Sequence, residues 1–356
     1  MKKAVIAVAV VLTVLGLAYF QRAQIAERVL AAGLKSRMAA NRLASLPDGL
    51  HLALCGAGGP LPAPDASGPC VAVIAGAKLF VVDTGTDGAR NLNRMGFPVG
   101  SVQAVFLTHF HSDHIDGLGE LATLRWAAGD NTLPLPVHGP SGVEQVVAGF
   151  NAAYAQDALY RQAHHGDTVA PLSGAGMVAA PFPPPADAAL TTVLNDGDLI
   201  VEALAVDHAP ASPAVAYRFR YRGRSLLISG DTAASEHLEA AAKGVDLLVH
   251  EALSPGLVAM MHDAAVENGD NILAKITGDI PDYHTSPVEA ANIARSAGVG
   301  HLLYYHIVPP LVVPGQTALF LDGAGAVFPN YTVGKDGVAF SLPAGSDEIL
   351  KTHAGL

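Results

Sequence analysis

The stretch Thr108-His109-Phe110-His111-Ser112-Asp113-His114 follows an apolar run at residues 102–108 and precedes a helical pattern at about residues 115–127. At the end of a strand, side chains i and i+2 share a direction, so His109 and His111 can grip one metal ion. Asp113 and His114, in the turn that follows, reach a second position close by. Imidazole suits zinc, and a carboxylate completes an N/O donor set for zinc, iron or manganese. A lone histidine is more often an ordinary surface or core residue than a ligand. Three histidines and an aspartate within residues 109–114, at a strand-to-helix junction, are poorly explained that way.

Further ligands are expected at other strand ends. His208 follows the strand pattern at residues 200–206, Asp231 follows 225–229, and His306 follows 301–305. Polar residues just past apolar strands converge on one mouth of a scaffold. An aspartate so placed can bridge two ions. Two divalent cations ~3.5–4 Å apart lower the pKa of a shared water toward ~7 and clamp an in-line displacement, which fits hydrolysis of a phosphate or related ester.

This ordered set resembles the metallo-β-lactamase superfamily, and within it the ribonuclease Z and arylsulfatase-like branch, over residues 50–342. The family's HxHxDH motif matches His109, His111, Asp113 and His114, and its later ligands match His208, Asp231 and His306. Asp83, in Val82-Asp83-Thr84-Gly85, matches an early strand-end aspartate with a supporting role. The resemblance implies an α/β fold, the αββα sandwich, and two divalent metal ions, Zn2+ foremost. It places His109, His111 and His208 on one ion, Asp113, His114 and His306 on the other, and Asp231 between them. It also makes Asp113 catalytic, orienting the attacking hydroxide or accepting its proton.

Tyr283-His284-Thr285-Ser286 resembles the ribonuclease Z histidine motif, usually His-Ser-Thr, whose histidine supports the transition state or protonates the leaving group. Thr285 and Ser286 reverse the family's order. A side chain that changes charge near pH ~6.5 suits a general acid. His250 and Glu251, in Val249-His250-Glu251-Ala252, match a supporting pair of the same branch. Either is a candidate to orient His284, with a purely structural role as the alternative.

Around these motifs, residues 50–55, 70–75 and 78–83 read as short strands between Gly/Pro turns. Later strands are expected at 214–221, 245–250, 331–333 and 338–342, and helices at 235–243 and 287–297. Residues 139–199 read as a substrate-side insertion, with a helix at 143–154 and a proline-rich stretch at 181–185. Within it Arg161, His164 and His165 are candidates to line the substrate cleft, or else a solvated loop. His138 reads as structural, and Gly56-Ala57-Gly58-Gly59 lacks the Lys-Ser/Thr of a phosphate loop. Cys55 and Cys70 form a candidate disulfide worth ~3 kcal/mol in the chain-entropy picture, the alternative being two buried thiols.

Lys2 and Lys3 precede an uncharged stretch, residues 4–20, that as a helix spans roughly 25 Å against a ~30 Å hydrocarbon core. It reads as a signal peptide or short membrane anchor, followed by a helical stalk at 21–48 and a catalytic domain at 49–356. Positive charge ahead of the stretch places the rest of the chain across the membrane, in a periplasmic or extracellular location.

The net charge is −11, from 21 basic and 32 acidic residues, with no basic run. The 139–199 segment, where a basic RNA-gripping arm is expected, has Arg161 as its one Lys or Arg beside six acidic residues. Phosphate contacts dominate nucleic-acid affinity, so this balance disfavours a nucleic-acid partner. The expected activity is therefore hydrolysis of a small sulfate ester or phosphodiester outside the cytoplasm. A ribonuclease Z-like tRNA 3′-endonuclease and a lactonase are the alternative enzymes, and metal binding without catalysis is the alternative of another class. Whether the chain forms a homodimer stays open at this level.

Overall fold

The computed structural model describes residues 2–39, 41–186 and 188–355. Met1, Ala40, Asp187 and Leu356 fall in the expected N-terminal segment, stalk, insertion and catalytic domain, and lie outside the described residues.

Successive side chains of a strand point to opposite faces, and here both faces are buried. In β1 (Gly49–Gly56), Leu50, Leu52 and Leu54 enter one core while Ala53 and Cys55 enter another. The same division runs through β2 (Cys70–Ala75), β3 (Lys78–Val82) and β4 (Val102–Phe106). β5 (Leu135–Pro140) and β6 (Met177–Phe182) extend this sheet in parallel. β7 (Thr191–Asp196), β8 (Leu199–Val206), β9 (Ala214–Tyr221), β10 (Arg224–Ile228), β11 (Leu247–Leu253), β12 (His301–Val308) and β13 (Tyr331–Val333) build a second sheet. β14 (Val338–Pro343) and β15 (Leu350–His353) return to the first, giving the orders 15-14-1-2-3-4-5-6 and 13-12-11-10-9-8-7.

Leu52, Val73, Phe80 and Phe106 of the first sheet share one core with Val201, Tyr217, Phe219 and Leu303 of the second. Leu92, Leu121 and Val147, from helices Gly88–Arg94, Leu118–Gly129 and Val143–His165, cover the first sheet's other face. Leu238 and Ile293, from helices Glu236–Ala241 and Pro287–Ala297, do the same for the second. This is the αββα sandwich.

Four features differ from the sequence reading. Residues 139–199 are woven into both sheets: β5 pairs with β6, the helix Val143–His165 covers the first sheet, and β7 pairs with β8. Pro181 lies within β6, and β6 is an edge strand, where a missing N–H costs no ladder bond. The single helix expected at 115–127 is two, Ser112–Ile115 and Leu118–Gly129, because the Gly117 N–H turns aside to the Thr84 carbonyl at 2.7 Å.

The third difference is in β12, which continues to Val308. Glu251 pairs with Tyr305 and Ala252 with Ile307, leaving His306 as an extra residue at φ +44°. A bulge of this kind re-aims one side chain out of the ladder. Lastly, the expected stalk divides. Helices Lys2–Phe20 and Arg22–Ala39 belong to a unit ending at Arg42, whereas Leu43 and Leu46 already pack on the catalytic unit's core. Among the described residues no single helix is long and apolar enough to cross a membrane; the segments Val5–Phe20 and Arg22–Ser36, bent by 68°, reach that length and composition only when taken together.

Candidate metal centre

The strand ends bring seven side chains together. Asp231 follows β10 and is buried, and its Oδ2 lies 3.4 Å from His114 Nε2, 3.3 Å from His306 Nε2, 3.7 Å from His208 Nε2 and 3.9 Å from His109 Nε2. One carboxylate oxygen thus faces four imidazole nitrogens. His109, His111, His208 and Asp231 form one group whose donor atoms all lie within 4.8 Å of one another, and Asp113, His114 and His306 form a second. His284 joins Asp231 and His306 in a third.

Hydrogen bonds fix which nitrogen each ring offers. Thr108 Oγ1 donates to Asp83 Oδ2 at 2.8 Å, so its lone pair is left to accept from His109 Nδ1 at 3.1 Å, and His109 Nε2 faces the centre. His114 Nδ1 donates to Asp83 Oδ2 at 2.8 Å, and His208 Nδ1 donates to the Tyr283 carbonyl at 3.0 Å. In both rings Nε2 faces inward. Such outer partners set the tautomer and orientation of a ligating histidine. Asp83, buried at φ +56°, also accepts from the Thr108 N–H at 2.8 Å and so ties β3 to the motif.

The donor set fits divalent metal ions. His109 Nε2 and His208 Nε2 approach His111 Nδ1 to 2.9 and 3.3 Å, so lone pairs face one another unless a cation or proton lies between. Asp231 Oδ1 is buried with no hydrogen bond among the described residues. Burial pushes His109, His111 and His208 below the ordinary histidine range, so each is neutral and able to ligate near pH 7. Burial acts the same way on His114, but the Asp231 and Asp83 carboxylates outweigh it and hold this ring well above that range. Burial raises Asp113, yet its bond from His306 and the charge on His114 leave it lowered and anionic.

Beside this cluster, His284 Nδ1 donates to Glu251 Oε1 at 2.9 Å, and the His284 and His208 ring centroids are 5.0 Å apart. Glu251 is fully buried and also accepts from the Thr285 and Thr232 N–H groups. Burial would depress His284, but Glu251 overrides it and raises the pKa to about 9. The ring is then protonated below about pH 9 and neutral above. In the metal-free chain, NMR titration of His284 should show that value, and Glu251→Gln should bring it down to ~6.5 or lower. An unmoved titration would discount the pair.

The pleat settles the choice between His250 and Glu251. Glu251 shares its face of β11 with Val249 and points to the centre, while His250 points to the outer face and donates to the Glu251 carbonyl at 2.8 Å. The reversed Thr285-Ser286 order also has a local cause. Thr285 Oγ1 donates to the Thr232 carbonyl, and Ser286 caps the helix Pro287–Ala297 in a capping box with Glu289.

The remaining candidates lie apart. Arg161 pairs with Asp157 on an exposed helix face, and no contact among the described residues links Arg161, His164 or His165 to the cluster. His138 stacks on Phe106 at 4.8 Å. Cys55 and Cys70 are disulfide-bonded. The sequence reading gave no role to Thr108, to the Tyr283 carbonyl, or to the cavity of about 370 Å3 that Phe110, Pro210, Ala211, Ser212 and Pro213 form with His109 and His111. Thr108 stood inside the quoted motif; the rest depends on distant segments meeting.

With the sandwich and this centre in place, comparison with known proteins gives the class. Residues 63–290 match the family model described as the metallo-beta-lactamase superfamily, and the chain belongs to that superfamily. Within it, the chain is 34% identical over 272 residues to the ribonuclease Z of Mycobacterium bovis, covering 75% of this chain and 89% of that one. Identity to a ribonuclease Z of Mycobacterium sp. strain KMS is also 34%, over 285 residues, covering 79% and 92%. A metallo-β-lactamase fold protein of Bacillus subtilis matches with TM-score 0.59, 20% identity and coverage of 83% and 100%. The short form of human tRNase Z matches with TM-score 0.57, 19% identity and coverage of 82% and 99%.

These relatives correct two expectations. Relatives named ribonuclease Z along three-quarters of this chain overturn both the expected small sulfate ester or phosphodiester cleaved outside the cytoplasm and the expectation that a nucleic-acid partner is disfavoured. Superfamily membership and the ribonuclease Z relatives support a metal-dependent hydrolase acting on phosphodiester bonds, and arylsulfatase likeness has no support.

Proposed function

We propose that this chain is a ribonuclease Z-type endonuclease that removes the 3′ extension of a tRNA precursor, using two divalent ions, Zn2+ by preference. The observation that carries the reading is Asp231 Oδ2 standing between two donor groups, beside a histidine–glutamate pair. The ribonuclease Z relatives supply the substrate class.

His109, His111 and His208 would hold one ion, Asp113, His114 and His306 the other, and Asp231 both. Bound ions supply Lewis acidity toward a phosphoryl oxygen and a lowered pKa for a shared water. The anionic Asp113 carboxylate is suited to take the proton of the attacking water. His284, protonated and tied at Nδ1, keeps Nε2–H for the leaving ribose oxygen. The uncharged cavity of Phe110, Pro210 and Pro213 beside His111 suits an unstacked base next to the cleaved bond, the way single-stranded RNA is usually read.

Assay of the zinc-loaded chain on a tRNA precursor with a 3′ trailer should give one cleavage after the acceptor stem. Chelator should abolish it and added zinc restore it. A zinc-loaded chain that leaves the trailer intact would refute the reading. The N-terminal helix Lys2–Phe20 is proposed to hold the enzyme at a membrane, and release of the full chain by high salt alone would count against that role.

A further inference from the structure

Residues 56–69 leave β1 and return to β2, closed at the root by the Cys55–Cys70 disulfide. Both cysteines are buried, and the Asn91 amide donates to the Cys55 carbonyl at 2.8 Å and to Asp336 Oδ2 at 3.0 Å. Asp336 accepts from the Ala57 and Ser67 N–H groups, each at 2.9 Å, so one carboxylate holds both legs of the segment. The Gly58 N–H donates to the Ser67 carbonyl at 2.9 Å and narrows it further.

Each leg then touches the centre, and on one side of it. On the first leg, the Ala57 carbonyl accepts from the Ile307 N–H at 3.1 Å and Gly58 bridges to Ile307, next to the bulged His306. Gly59 lies against that ring, where a Cβ would meet His306 Cε1 at 3.1 Å and Val308 Cγ2 at 2.9 Å. On the second leg, the Pro69 carbonyl accepts from the Gly85 N–H at 2.9 Å and the Thr86 carbonyl accepts from the Gly68 N–H at 3.2 Å. Gly85 is wedged between the Gly68 and Asp113 backbones, where a Cβ would lie 2.3 Å from Gly68 C and 2.4 Å from the Asp113 carbonyl oxygen. The neighbouring Thr84 N–H donates to the His114 carbonyl at 2.8 Å. Asp113, His114 and His306 are all reached this way. The His109 and His208 rings are held by Thr108 and the Tyr283 carbonyl instead, with no bond to the strap, while Asp83 serves both halves, through Thr108 and directly at His114 Nδ1.

We propose that the disulfide-closed segment is a strap that positions the Asp113–His114–His306 half of the centre, with Cys55, Cys70 and Asp336 as positioning residues for one metal ion and not the other. His306 sits in the left-handed region on a bulge, a backbone state that persists only where the surroundings hold it. The strap supplies that hold from one side and fixes the Asp113 turn from the other. A general stabiliser would act on both halves alike; a strap acts on one.

The proposal rests on the cluster being a two-metal centre, and zinc titration of the metal-free full chain against a chromophoric chelator tests the two separately. The wild type should take up two ions. In a Cys55→Ala/Cys70→Ala variant, one of the two affinities should fall ~10–100-fold while the other stays within about twofold, the size of effect outer partners have on metal sites. Asp336→Ala keeps the disulfide and should give the same asymmetric loss, which covers a cysteine variant that fails to fold. In an Asp113→Ala background, where that half is already lost, Asp336→Ala should leave the remaining affinity unchanged. Equal weakening of both ions, or no change in either, overturns the strap while leaving the metal centre standing. A wild-type chain that binds no zinc overturns both.

Discussion

Replacing Asp231 by alanine should remove both metal ions and the hydrolytic activity together. The other carboxylate of the cluster, Asp113, belongs to one donor group, whereas Asp231 Oδ2 lies 3.3–3.9 Å from imidazole nitrogens of both. Its negative charge also sets the protonation of the site. The charge interactions of Asp231 with the surrounding imidazoles, His114 among them, outweigh burial to hold it well below the usual carboxylate range, and Asp231 in turn raises His114. Without it, two dications would face mainly neutral nitrogens in a buried site, and the desolvation of each ion would go unanswered. Loss of several kcal/mol of transition-state stabilisation corresponds to a rate fall of at least roughly 10^3-fold. Metal analysis of the purified variant beside phosphodiesterase rates provides the check. A variant that keeps two ions per chain would show that Asp231 does not bridge.

The metal dependence should also follow pH with a definite sign. His109, His111 and His208 are neutral at pH 7, but His114 is raised and has to lose a proton before Nε2 can ligate. Uptake at the Asp113–His114–His306 group should therefore release a proton and weaken as pH falls. Isothermal titration in buffers of different ionisation enthalpy reads that proton directly, and a heat independent of buffer would contradict it.

How much of this was legible in the chain depends on how local each feature is. The strands read easily because both faces of each sheet are buried, so continuous apolar runs such as Leu79-Phe80-Val81-Val82 carry the signal. The clustered side chains other than His306 read easily because they stand just past such runs. His306 was found for the right spacing but in the wrong setting, since a bulge is defined by the partner strand's register and not by the bulged strand alone. The break before Gly117 needed the Thr84 carbonyl, thirty-three positions upstream. Asp336 had no signal at all, because its role depends on Ala57, Ser67 and Asn91 arriving from far away in the chain.

The substrate was misread for a physical reason. Net charge governs solubility and long-range steering, and a figure of −11 averages the whole surface. Nucleic-acid contact is decided locally, and a centre with Asp113 and Asp231 as its two carboxylates becomes cationic once two divalent ions are bound. The 139–199 segment was weighed as an RNA-gripping arm when it is the edge of both sheets, so its scarcity of basic residues reflects its place in the fold.

Replacing His284 by alanine should keep both metal ions and lower the rate on RNA by ~10^2–10^4-fold, the usual contribution of a general acid. The ring lies beside the donor groups, but its Nδ1 is held by Glu251, which in turn is fixed by the Thr232 and Thr285 N–H groups. In the metal-free chain that linkage raises the pKa to about 9, and Glu251 goes on favouring the protonated ring, with a proton at Nε2, when ions are bound. The size of the loss should then depend on what leaves. A ribose hydroxyl, with an alkoxide pKa far above neutrality, needs the proton as the P–O bond breaks, whereas p-nitrophenolate departs readily without it. His284→Ala should therefore cost far more on an RNA substrate than on bis(p-nitrophenyl) phosphate. Equal losses on the two would mean that His284 stabilises charge on the phosphoryl group instead of protonating the leaving oxygen. Loss of an ion along with the rate would make it a ligand, consistent with its place in the third donor group with Asp231 and His306.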